Sequence, residues 1–531
     1  MNLQDKTVYL ETSLPCVNRL LGLMDRNPSS LTYGCFDRNY WHYKIIDFSN
    51  GRLQEAALTL ALLFVLNHPL NPYYYQEKIK EWSLAAMHFL KTIQNTDGSF
   101  NEYYPHEHAF VTTAFSTFAV SESLLLLKEF PTDVLEMLKK SGRWLLGREE
   151  LDVVNQNLGA CAALQNVYVL TGEKQFERGA YTKLKNSLQE QSPEGWFYEY
   201  GGPDIGYLSV AVYYLANYFK KTQDKTALLH LKKAVRFLSH FIHPDGSAGG
   251  EYGSRNTMYM MPDGIEICAQ HDDYASFLAS SLRTSLKRGG IAPFDLDDRY
   301  LCTMLYPYLQ AYSDCSPIKR EREPESSFFS ESGLLIEKTL NSLFIVNLKK
   351  GGVFKLFSRD GLVLSDSGFL GRLSNGSMVS SQWLGTTFTK TGSHYSVTGP
   401  LVVVPEQQMT PFRTMVLRGS LSLGGKYVSD FAKHYLRRKL ITRKDTVSGS
   451  FQRKITLKDE NAIHITDILE GNLIFDSLHL VDHASLIYIP SSRYFCVNEL
   501  HTPQYLTKDL STEFNKKKKV VHERDIICEG S

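Results

Sequence analysis

The sequence has no cysteine pairs of the kind that hold structural metals or form disulfide frameworks. Its eight cysteines are scattered singly along 531 residues, and none stands in a Cys-x-x-Cys pair. Zinc sites and disulfide-rich folds need closely spaced cysteines, so neither is expected. Isolated cysteines are typical of a reducing compartment, which predicts a cytoplasmic protein. A secreted or periplasmic chain whose signal peptide has been removed would have the same composition.

The sequence also lacks long apolar runs and an excess of charge of one sign. Its first thirty residues include Asp5, Glu11 and Asp25 and contain no continuous apolar segment, so no secretory signal is expected. The longest apolar stretch, Ala56–Leu66, is too short to cross a bilayer, and no membrane span is predicted. Lysine and arginine total 58 against 57 acidic residues, which argues against a nucleic-acid partner. The oligomeric state is left open.

Motifs for a metal or a cofactor are missing as well. His106 and His108 stand two residues apart, which places both on one side only in an extended loop, and no third histidine accompanies them. We therefore predict neither a metal nor a cofactor.

What the sequence does contain is a globular composition and a helical period. Hydrophobic residues make up 43% and charged residues 22%, and 531 residues are too many for one ordinary core. Before residue 320, apolar residues recur at helical spacing in ten segments. The predicted helices cover Leu53–Leu66, Gln76–Gln94, Ala109–Glu129, Val134–Leu146, Asn155–Leu170, Phe176–Leu188, Ile205–Phe219, Thr226–Phe241, Tyr274–Leu286 and Arg299–Tyr312.

A glycine-containing loop recurs between alternate helices. Clear copies contain Gly98, Gly195 and Gly246, weaker ones contain Gly51 and Gly147, and successive glycines are 47 to 51 residues apart. One helical hairpin fits that length, with a glycine as the left-handed C-cap of its second helix. Five to six hairpins predict a closed (α/α) toroid, because aromatic and acidic loops suit one functional rim. An open α-solenoid is the alternative.

After residue 318 the pattern changes from helical to extended. Residues 319–326 form a charged, proline-containing linker, and short β-branched runs separated by Gly, Asn, Asp and Ser follow it. An antiparallel β-sandwich is predicted for 327–531. The expected fold is therefore α+β multidomain, with an N-terminal extension and an (α/α)5-6 toroid over 1–318 followed by the β-sandwich domain.

The segment Glu194–Ser209 concentrates aromatic and acidic residues around the turn Gly201-Gly202-Pro203. Trp196 and Tyr200 offer rings that can stack on sugars. Asp204 precedes the next helix and is simply explained as its N-cap. Tyr207 lies one turn into that helix and would point into a toroid cavity if the loop forms its rim.

A second glycine-rich loop follows one repeat later and carries His243, Glu251, Tyr252 and Arg255. Small residues permit close approach of a bulky ligand, and Arg255 offers a planar guanidinium to a carboxylate. A surface loop whose arginine pairs with an acid of the protein is the alternative.

Asn155 and Asn157 stand at the start of another predicted helix, where asparagine usually serves as a cap. Asn155 precedes Tyr207 by 52 residues, which is one repeat. The two side chains can therefore face each other across neighbouring inner helices.

These features resemble the toroid-plus-β-sandwich polysaccharide lyases, in particular the heparinase II/III-like and alginate lyase group. The resemblance rests on the segment Phe36–Lys44, on Asn155 and Tyr207 in order and spacing, and on the β-rich C-terminal part. In that group an asparagine helps to neutralise a uronate carboxylate, and a tyrosine or histidine transfers protons. This sequence departs from the group at Gln156, where many members have histidine, and in lacking a His-x-His metal signature in the β part.

The resemblance implies a carbon–oxygen lyase that cleaves an acidic, uronic-acid-containing glycan by β-elimination. Catalytic roles are expected for Asn155, Tyr207, His243 and Arg255. Substrate contacts are expected for Trp41, Asn157, Trp196, Tyr200, Asp204, Glu251 and Tyr252. Asn155 and Arg255 would offset the carboxylate charge and Tyr207 would transfer the proton, while His243, His394 or His434 would take the second proton-transfer role.

Three other functions are compatible with the sequence. A toroid glycoside hydrolase needs two carboxylates across a sugar, for which Asp204 and Glu251 are the best pair. A uronate C5-epimerase shares the proton-abstraction step. A non-catalytic glycan-binding protein can use the same fold.

Overall fold

A computed structural model shows a helical part and a part built mainly of antiparallel strands. The described residues are 6–290, 292–315, 317, 320–405, 410–437, 445–459, 462–482, 500 and 503–528. Helices prevail up to Asp314, and the first strand begins at Ser327. The α+β multidomain class predicted from the sequence is confirmed.

Fifteen α-helices lie in the helical part of the described chain. They are α1 (Val8–Ser13), α2 (Val17–Leu23), α3 (Arg38–Trp41), α4 (Ala56–Val65), α5 (Glu77–Thr92), α6 (Phe110–Leu127), α7 (Thr132–Leu146), α8 (Val154–Thr171), α9 (Lys174–Gln189), α10 (Ile205–Thr222), α11 (Lys225–Leu238), α12 (Asp263–Ala269), α13 (Asp273–Lys287), α14 (Asp298–Met304) and α15 (Tyr306–Asp314). The predicted run Arg299–Tyr312 is two helices, because Pro307 stands in the first turn of a new one.

The helices differ in how much of their surface is apolar, and this difference sets their layer. In α7 the buried residues Val134, Met137, Leu138 and Leu145 follow helical spacing and form one stripe. In α4 the residues from Ala56 to Phe64 are all buried, so neighbours cover the helix on every side. Helices with a stripe lie outside, and helices buried all round lie inside.

The inner helices contact one another in a cyclic order. Helix α4 packs against α6, then α6 against α8, α8 against α10, α10 against α12, α12 against α15, and α15 against α4. The order returns to its start, which an open superhelix would not do. The first five inner helices are each followed by an outer helix that packs against them, whereas the partner of α15 is α1. The two ends of the helical part thus complete one pair.

Helix α6 is long and apolar enough to cross a membrane, and it is the one such helix in the described ranges. That test considers only length and composition, and 78% of the apolar window is buried inside the protein. The place of α6 in the inner ring explains its apolar composition.

A buried polar contact joins α1 to the ring. The Tyr9 hydroxyl donates to Glu266 Oε1 at 2.6 Å, and Arg283 pairs with the same carboxylate. All three side chains are buried. A buried carboxylate is costly unless it is paired and hydrogen-bonded, so this contact favours the seating of α1.

The recurrent glycines contact neighbouring helices instead of capping their own. Gly98 and Gly195 have φ of +101° and +108°, and a Cβ on either would lie within 2.5 Å of a backbone oxygen of the next outer helix. Gly147 does end α7, but with φ of −93°. The predicted left-handed C-caps are wrong at these three glycines. Gly98 and Gly195 permit a tight turn and a close approach between loop and helix.

The strands form two antiparallel sheets. The five-stranded sheet keeps chain order and contains β1 (Ser327–Phe329), β2 (Leu334–Lys338), β3 (Ser342–Asn347), β4 (Val353–Ser358) and β5 (Gly361–Asp366). The eight-stranded sheet contains β6 (Phe369–Leu373), β7 (Met378–Ser380), β8 (Thr387–Thr391), β9 (His394–Val403), β10 (Thr446–Asp459), β11 (Ala462–Gly471), β12 (Phe475–Leu480) and β13 (Lys519–Ile527). Its order is β12-β6-β7-β9-β10-β11-β13, with β8 beside β9.

The five-stranded sheet is buried on both faces. In β3, Leu343 and Ile345 belong to the core of the helical part, whereas Phe344 and Val346 share a core with the second sheet. A strand covered on both faces needs no polar positions, which explains its continuous apolar run. This sheet therefore fixes the β part against the helices.

Two helices lie within the part that the sequence predicted to be wholly β. Helix α16 (Pro411–Arg437) lies between β9 and β10, and α17 (Ser511–Lys517) precedes β13. Phe412, Met415 and Leu423 of α16 are exposed, so the side chains of α16 that the structure describes do not form the buried apolar stripe by which a helix is ordinarily recognised. The expectation of strands alone is wrong at both segments.

Replacing Tyr9 with phenylalanine should weaken the closure of the ring. The change removes one hydrogen bond to a buried carboxylate and should lower the free energy of unfolding by about 1–2 kcal/mol. Tyr308→Phe is the matched control, because Tyr308 packs beside Tyr9 and has no hydrogen-bond partner for its hydroxyl among the described residues. Chemical denaturation measures both variants, and equal midpoints would contradict the role of the contact.

Candidate functional site

The candidate site lies where the inner helices begin. Because each of the first five inner helices is followed by an outer helix that returns beside it, these five run in one direction and start at one rim. Adjacent loops of this rim are hydrogen-bonded: the Tyr200 amide donates to Asp152 O at 3.2 Å, and the Ser254 amide donates to Pro203 O at 2.8 Å. Asn155 is the second residue of α8 and Tyr207 the third of α10.

Asp204 organises two of these loops. It caps α10, with its Oδ1 accepting the Tyr207 amide at 3.2 Å. Its Oδ2 accepts the Arg255 amide at 2.9 Å, and the Thr257 hydroxyl also donates to the carboxylate. Since the side chain is fully buried, its oxygens are occupied by the protein itself. The N-cap explanation fits this geometry, and Asp204 holds Tyr207 and Arg255 close together.

Arg255 is a buried cation without an anionic partner among the described residues. Its side chain is only 2% exposed, and its Nε has no hydrogen-bond partner. The guanidinium lies over the ring of Tyr200, 4.6 Å from the centroid. A buried charge is ordinarily paired. The arrangement therefore provides a place for an anion from outside, with a half-buried aromatic ring beside it.

Glu199 joins this cluster through Asn155, although sequence reasoning missed it. The Asn155 amide donates to Glu199 Oε1 at 2.9 Å, while Oε2 is buried without a hydrogen-bond partner. Burial raises the pKa of Glu199 well above the usual carboxyl range, the carboxylate of Asp204 raises it further, and Asn155 opposes the shift. Burial therefore favours the protonated, neutral form of Glu199. The available signal was an acid beside the Gly-Gly-Pro turn of the segment already singled out.

Tyr207 places a hydroxyl beside Arg255 and Tyr200. Its side chain is half-buried, and the hydroxyl has no hydrogen-bond partner within the described ranges. Burial raises the pKa of Tyr207 well above 10, the neighbouring Tyr200 raises it further, and the Arg255 charge opposes both. The phenol is thus protonated in the ligand-free protein, and Arg255 is the group that can favour its ionised form.

A turn of the β part holds the Arg255 loop in place. Lys350, between β3 and β4, is fully buried and donates from Nζ to the carbonyls of Glu251 and Gly253, each at 2.6 Å, and to Asn256. Asn347 Nδ2 donates to the Tyr252 carbonyl at 2.8 Å. Burial lowers the pKa of Lys350 to about 7, because the charged ammonium is less stable in the protein interior than in water.

Four residues predicted for the site have side chains that are engaged by other groups of the protein. His243 is buried, its ring nitrogens contact Ser247 Oγ at 2.7 Å and the Tyr252 hydroxyl at 2.8 Å, and it stacks on Phe357 of the β part. Burial lowers the pKa of His243 to about 3, which argues against an acid–base role. Tyr252 is buried with it. The Trp196 indole donates to the Glu194 carboxylate at 2.9 Å. Glu251 forms an ion pair with Lys355 at 3.2 Å.

Other predicted residues are bound to the backbone or lie elsewhere. Asn157 donates to the Glu150 carbonyl at 2.6 Å, and the Trp41 indole donates to the Leu23 carbonyl at 2.7 Å. His394 is exposed on β9, and the side chain of His434 lies outside the described residues. Within the described ranges, no group of three or more His, Cys, Asp or Glu side chains is placed to hold a metal ion.

Comparisons with known proteins agree with the predicted resemblance. Residues 50–261, which include Asn155, Glu199, Tyr207 and Arg255, match the family model of the ulvan lyase N-terminal domain. The chondroitin AC lyase of Streptomyces coelicolor A3, solved in complex with chondroitin sulphate, is similar with a TM-score of 0.57 and 10% identity; the match covers 90% of this chain and 68% of that one. A Paenibacillus xanthan lyase gives a TM-score of 0.53 and 10% identity, covering 91% and 47%. No curated protein matches in sequence.

These findings confirm the resemblance to toroid polysaccharide lyases. At 10% identity the structural likeness shows a common fold. The chain spans about half the length of the xanthan lyase. The family model, which matches residues 50–261, supports a carbon–oxygen lyase acting on polysaccharides.

The raised pKa of Glu199 predicts a pH dependence of stability. Between the ordinary carboxyl pKa of the unfolded chain, about 4.3, and the raised pKa of the folded protein, the native state binds more protons than the unfolded state. Stability contributed by the neutral acid is thus fully present below this window and is lost as pH rises through it. Glu199→Gln mimics the neutral acid and should flatten the dependence.

Thermal melts across this window measure the effect, with Glu190→Gln, at an exposed position, as the control. A Glu199→Gln variant that keeps the full pH slope of its parent would contradict a neutral Glu199.

Proposed function

We propose that the protein is a polysaccharide lyase that cleaves a uronic-acid-containing glycan by β-elimination, on a toroid of six helix pairs joined to a β-sandwich. One observation carries the proposal: a buried guanidinium without an anionic partner in the described chain lies beside a tyrosine hydroxyl that is also unpartnered. The first suits a carboxylate of the substrate and the second suits proton transfer next to it.

The chemistry explains why both groups are needed. β-Elimination removes the hydrogen from C5 of the uronate, forms a double bond between C4 and C5, and breaks the bond from C4 to the glycosidic oxygen, which takes up a proton. The C5 hydrogen is weakly acidic as long as the carboxylate charge is not offset. A preorganised cation in a water-poor site stabilises the charge that develops on this group. In our proposal Arg255 is that cation.

Glu199 and Asn155 complete the anion-binding side. A neutral Glu199 carries a proton that it can donate, and its Oε2 has no hydrogen-bond partner. The carboxylate of the substrate would accept hydrogen bonds from Glu199 and Arg255. Asn155 would act through Glu199, which it holds at 2.9 Å, and is thus a positioning residue in this proposal.

Tyr207 is assigned the proton transfer. Arg255 opposes the shift that keeps Tyr207 protonated. The ionised fraction of the phenol, whose own proton has passed to solvent before the substrate is bound, would accept the C5 proton and return it to the glycosidic oxygen, which leaves the tyrosinate regenerated. One side chain can do both only when the hydrogen and the leaving oxygen lie on the same face of the sugar ring. Since His243 has both ring nitrogens occupied, no role is assigned to it.

The geometry gives the hydrolase alternative less support. A glycoside hydrolase needs two carboxylates that face the scissile bond. Asp204 is buried and accepts hydrogen bonds from two loops, and Glu251 forms an ion pair with Lys355. Neither carboxylate is positioned to act on a sugar. The reaction products separate the other two alternatives from a lyase. An epimerase gives a saturated uronate with inverted C5, and a protein that only binds the glycan gives no product.

Tyr207→Phe should abolish most turnover and leave the fold intact, because it removes one hydroxyl and little volume. General acid–base groups contribute about 10²- to 10⁴-fold to rate, so turnover should fall by that factor. The assay follows the ultraviolet absorbance of unsaturated uronate on a panel of acidic polysaccharides, with Tyr181→Phe, at an exposed position on α9, as the control. Products without a conjugated double bond, or a Tyr207→Phe variant as fast as its parent, would refute Tyr207-dependent elimination.

Arg255→Gln should lower kcat/KM by about 10- to 100-fold, since a hydrogen bond to a charged group contributes about 1.5–3 kcal/mol. The loss should disappear on a carboxyl-reduced substrate, which offers the arginine no charge. Arg143→Gln, at an exposed position on α7, is the control. An equal loss on native and carboxyl-reduced substrates would show that Arg255 does not bind the carboxylate.

A further inference from the structure

A cavity of about 410 Å³ lies at the rim where the inner helices begin, apart from the residues used above. Its wall combines segments far apart in the chain: the N-terminal segment with Arg38 and Tyr43, the loop before α6 with Tyr103, the start of α14 with Arg299, and Arg418 of α16. Nothing in the proposed elimination uses these residues.

Two guanidinium groups of this cavity are without a carboxylate partner among the described residues. Arg38 donates from Nη1 to the Gly22 carbonyl at 3.2 Å, and its Nε is buried without a hydrogen-bond partner. It lies over the ring of Tyr43, 5.4 Å from the centroid, and Arg299 lies over Tyr103 at 5.2 Å. Tyr43 and Tyr103 are both more than half exposed, so each cation sits on an accessible aromatic ring.

The acidic residues of the same wall are engaged by other groups. Asp298 pairs with Arg19 at 2.8 Å, and Glu102 accepts the Thr112 hydroxyl at 3.2 Å. Asp37 is buried and accepts the Asn50 amide at 2.9 Å; burial raises its pKa, and Arg299 partly opposes this.

The third arginine is committed as well, since Arg418 pairs with Asp47 at 2.8 Å. The groups left to meet a ligand are therefore Arg38 and Arg299, and both are cations.

The cavity and the reactive cluster lie at the same rim of the helical part. Tyr300 of α14 raises the pKa of Tyr103 and, as the smallest of several causes, that of Tyr207, so it lies near both phenols. The cavity also borders Asn50 and Leu53, at the start of the inner helix α4, so it belongs to the rim from which Asn155 and Tyr207 project. A chain of sugars that is bound at Arg255 and follows this rim would meet the cavity.

We propose that this cavity is a second anion subsite, in which Arg38 and Arg299 bind a carboxylate or sulfate group of a sugar unit other than the one at Arg255, while Tyr43 and Tyr103 contact its ring. The inference rests on the proposed function, since it assigns a further unit of the same substrate. The planar guanidinium of arginine forms charge-assisted hydrogen bonds with a carboxylate and with a sulfate.

The test reads binding directly, so that it does not depend on turnover. Arg38→Gln and Arg299→Gln are introduced singly and together into the Tyr207→Phe chain. Calorimetry then measures binding of oligosaccharides from ulvan and from chondroitin sulphate. Each substitution should weaken binding about tenfold or more, because each removes a charged hydrogen-bond donor. Arg178→Gln, at an exposed position on α9, should have no effect, and thermal melts verify folding.

Two further arms identify the anion and the position. If the arginine substitutions no longer weaken the binding of desulfated oligosaccharides, the group bound in the cavity is a sulfate. If they no longer weaken the binding of carboxyl-reduced oligosaccharides, it is a carboxylate. A single free uronate, which reaches only Arg255, should bind equally to the double variant and its parent. Oligosaccharides that bind the double variant as tightly as the parent, or a parent that binds none of them, would overturn the subsite. Binding that depends on both arginines without formation of a double bond would refute the lyase and leave the subsite standing.

Discussion

The site depends on one buried carboxylate. Asp204 caps the helix that carries Tyr207 and accepts the backbone amide of Arg255 from the following loop. Both contacts are to backbone groups, so they fix where two chain segments begin and do not restrict the side chains that project from them. A carboxylate at a helix N-terminus is favoured by the helix dipole and by the unpaired amides there. Asp204 thereby sets the distance between the guanidinium of Arg255 and the phenol of Tyr207.

Fixing the second loop requires the β part. Lys350 enters the turn around Arg255 and donates to two of its carbonyls, and Asn347 binds a third. Burying a lysine is unfavourable unless its protons are all used, and here the acceptors are backbone and amide oxygens of one turn. The five-stranded sheet, covered on one face by the helices, holds this lysine in position. Arg255 can stay unpaired because its loop is held by contacts that do not involve its guanidinium.

Periodicity predicted the layered helices and the strand-rich part, since both follow from local burial patterns. The pair α1 and α15 was not predictable in this way, because its members are about 300 residues apart and share no repeat. Tyr207 and Arg255 were found as polar and aromatic residues on glycine-rich loops, whereas Glu199 was overlooked in the same segment. His243 and Trp196 have the composition of site residues, but their partners come from distant segments and commit them to the interior. Sequence shows which side chains can do chemistry, and only the fold shows which of them are already engaged.

This distinction also bears on the extent of the family match. Residues 50–261 contain the groups to which we assign chemistry, but Lys350 and Asn347 lie outside that range. Arg38 and Arg299, which line the cavity proposed as an anion subsite, also lie outside that range. If the loops of the rim were held by the helical part alone, residues 50–261 would suffice to place Arg255. Because a buried lysine of the β part holds that loop, the chemical groups and the groups that position them belong to different parts of the chain, and the two parts are expected to function only together.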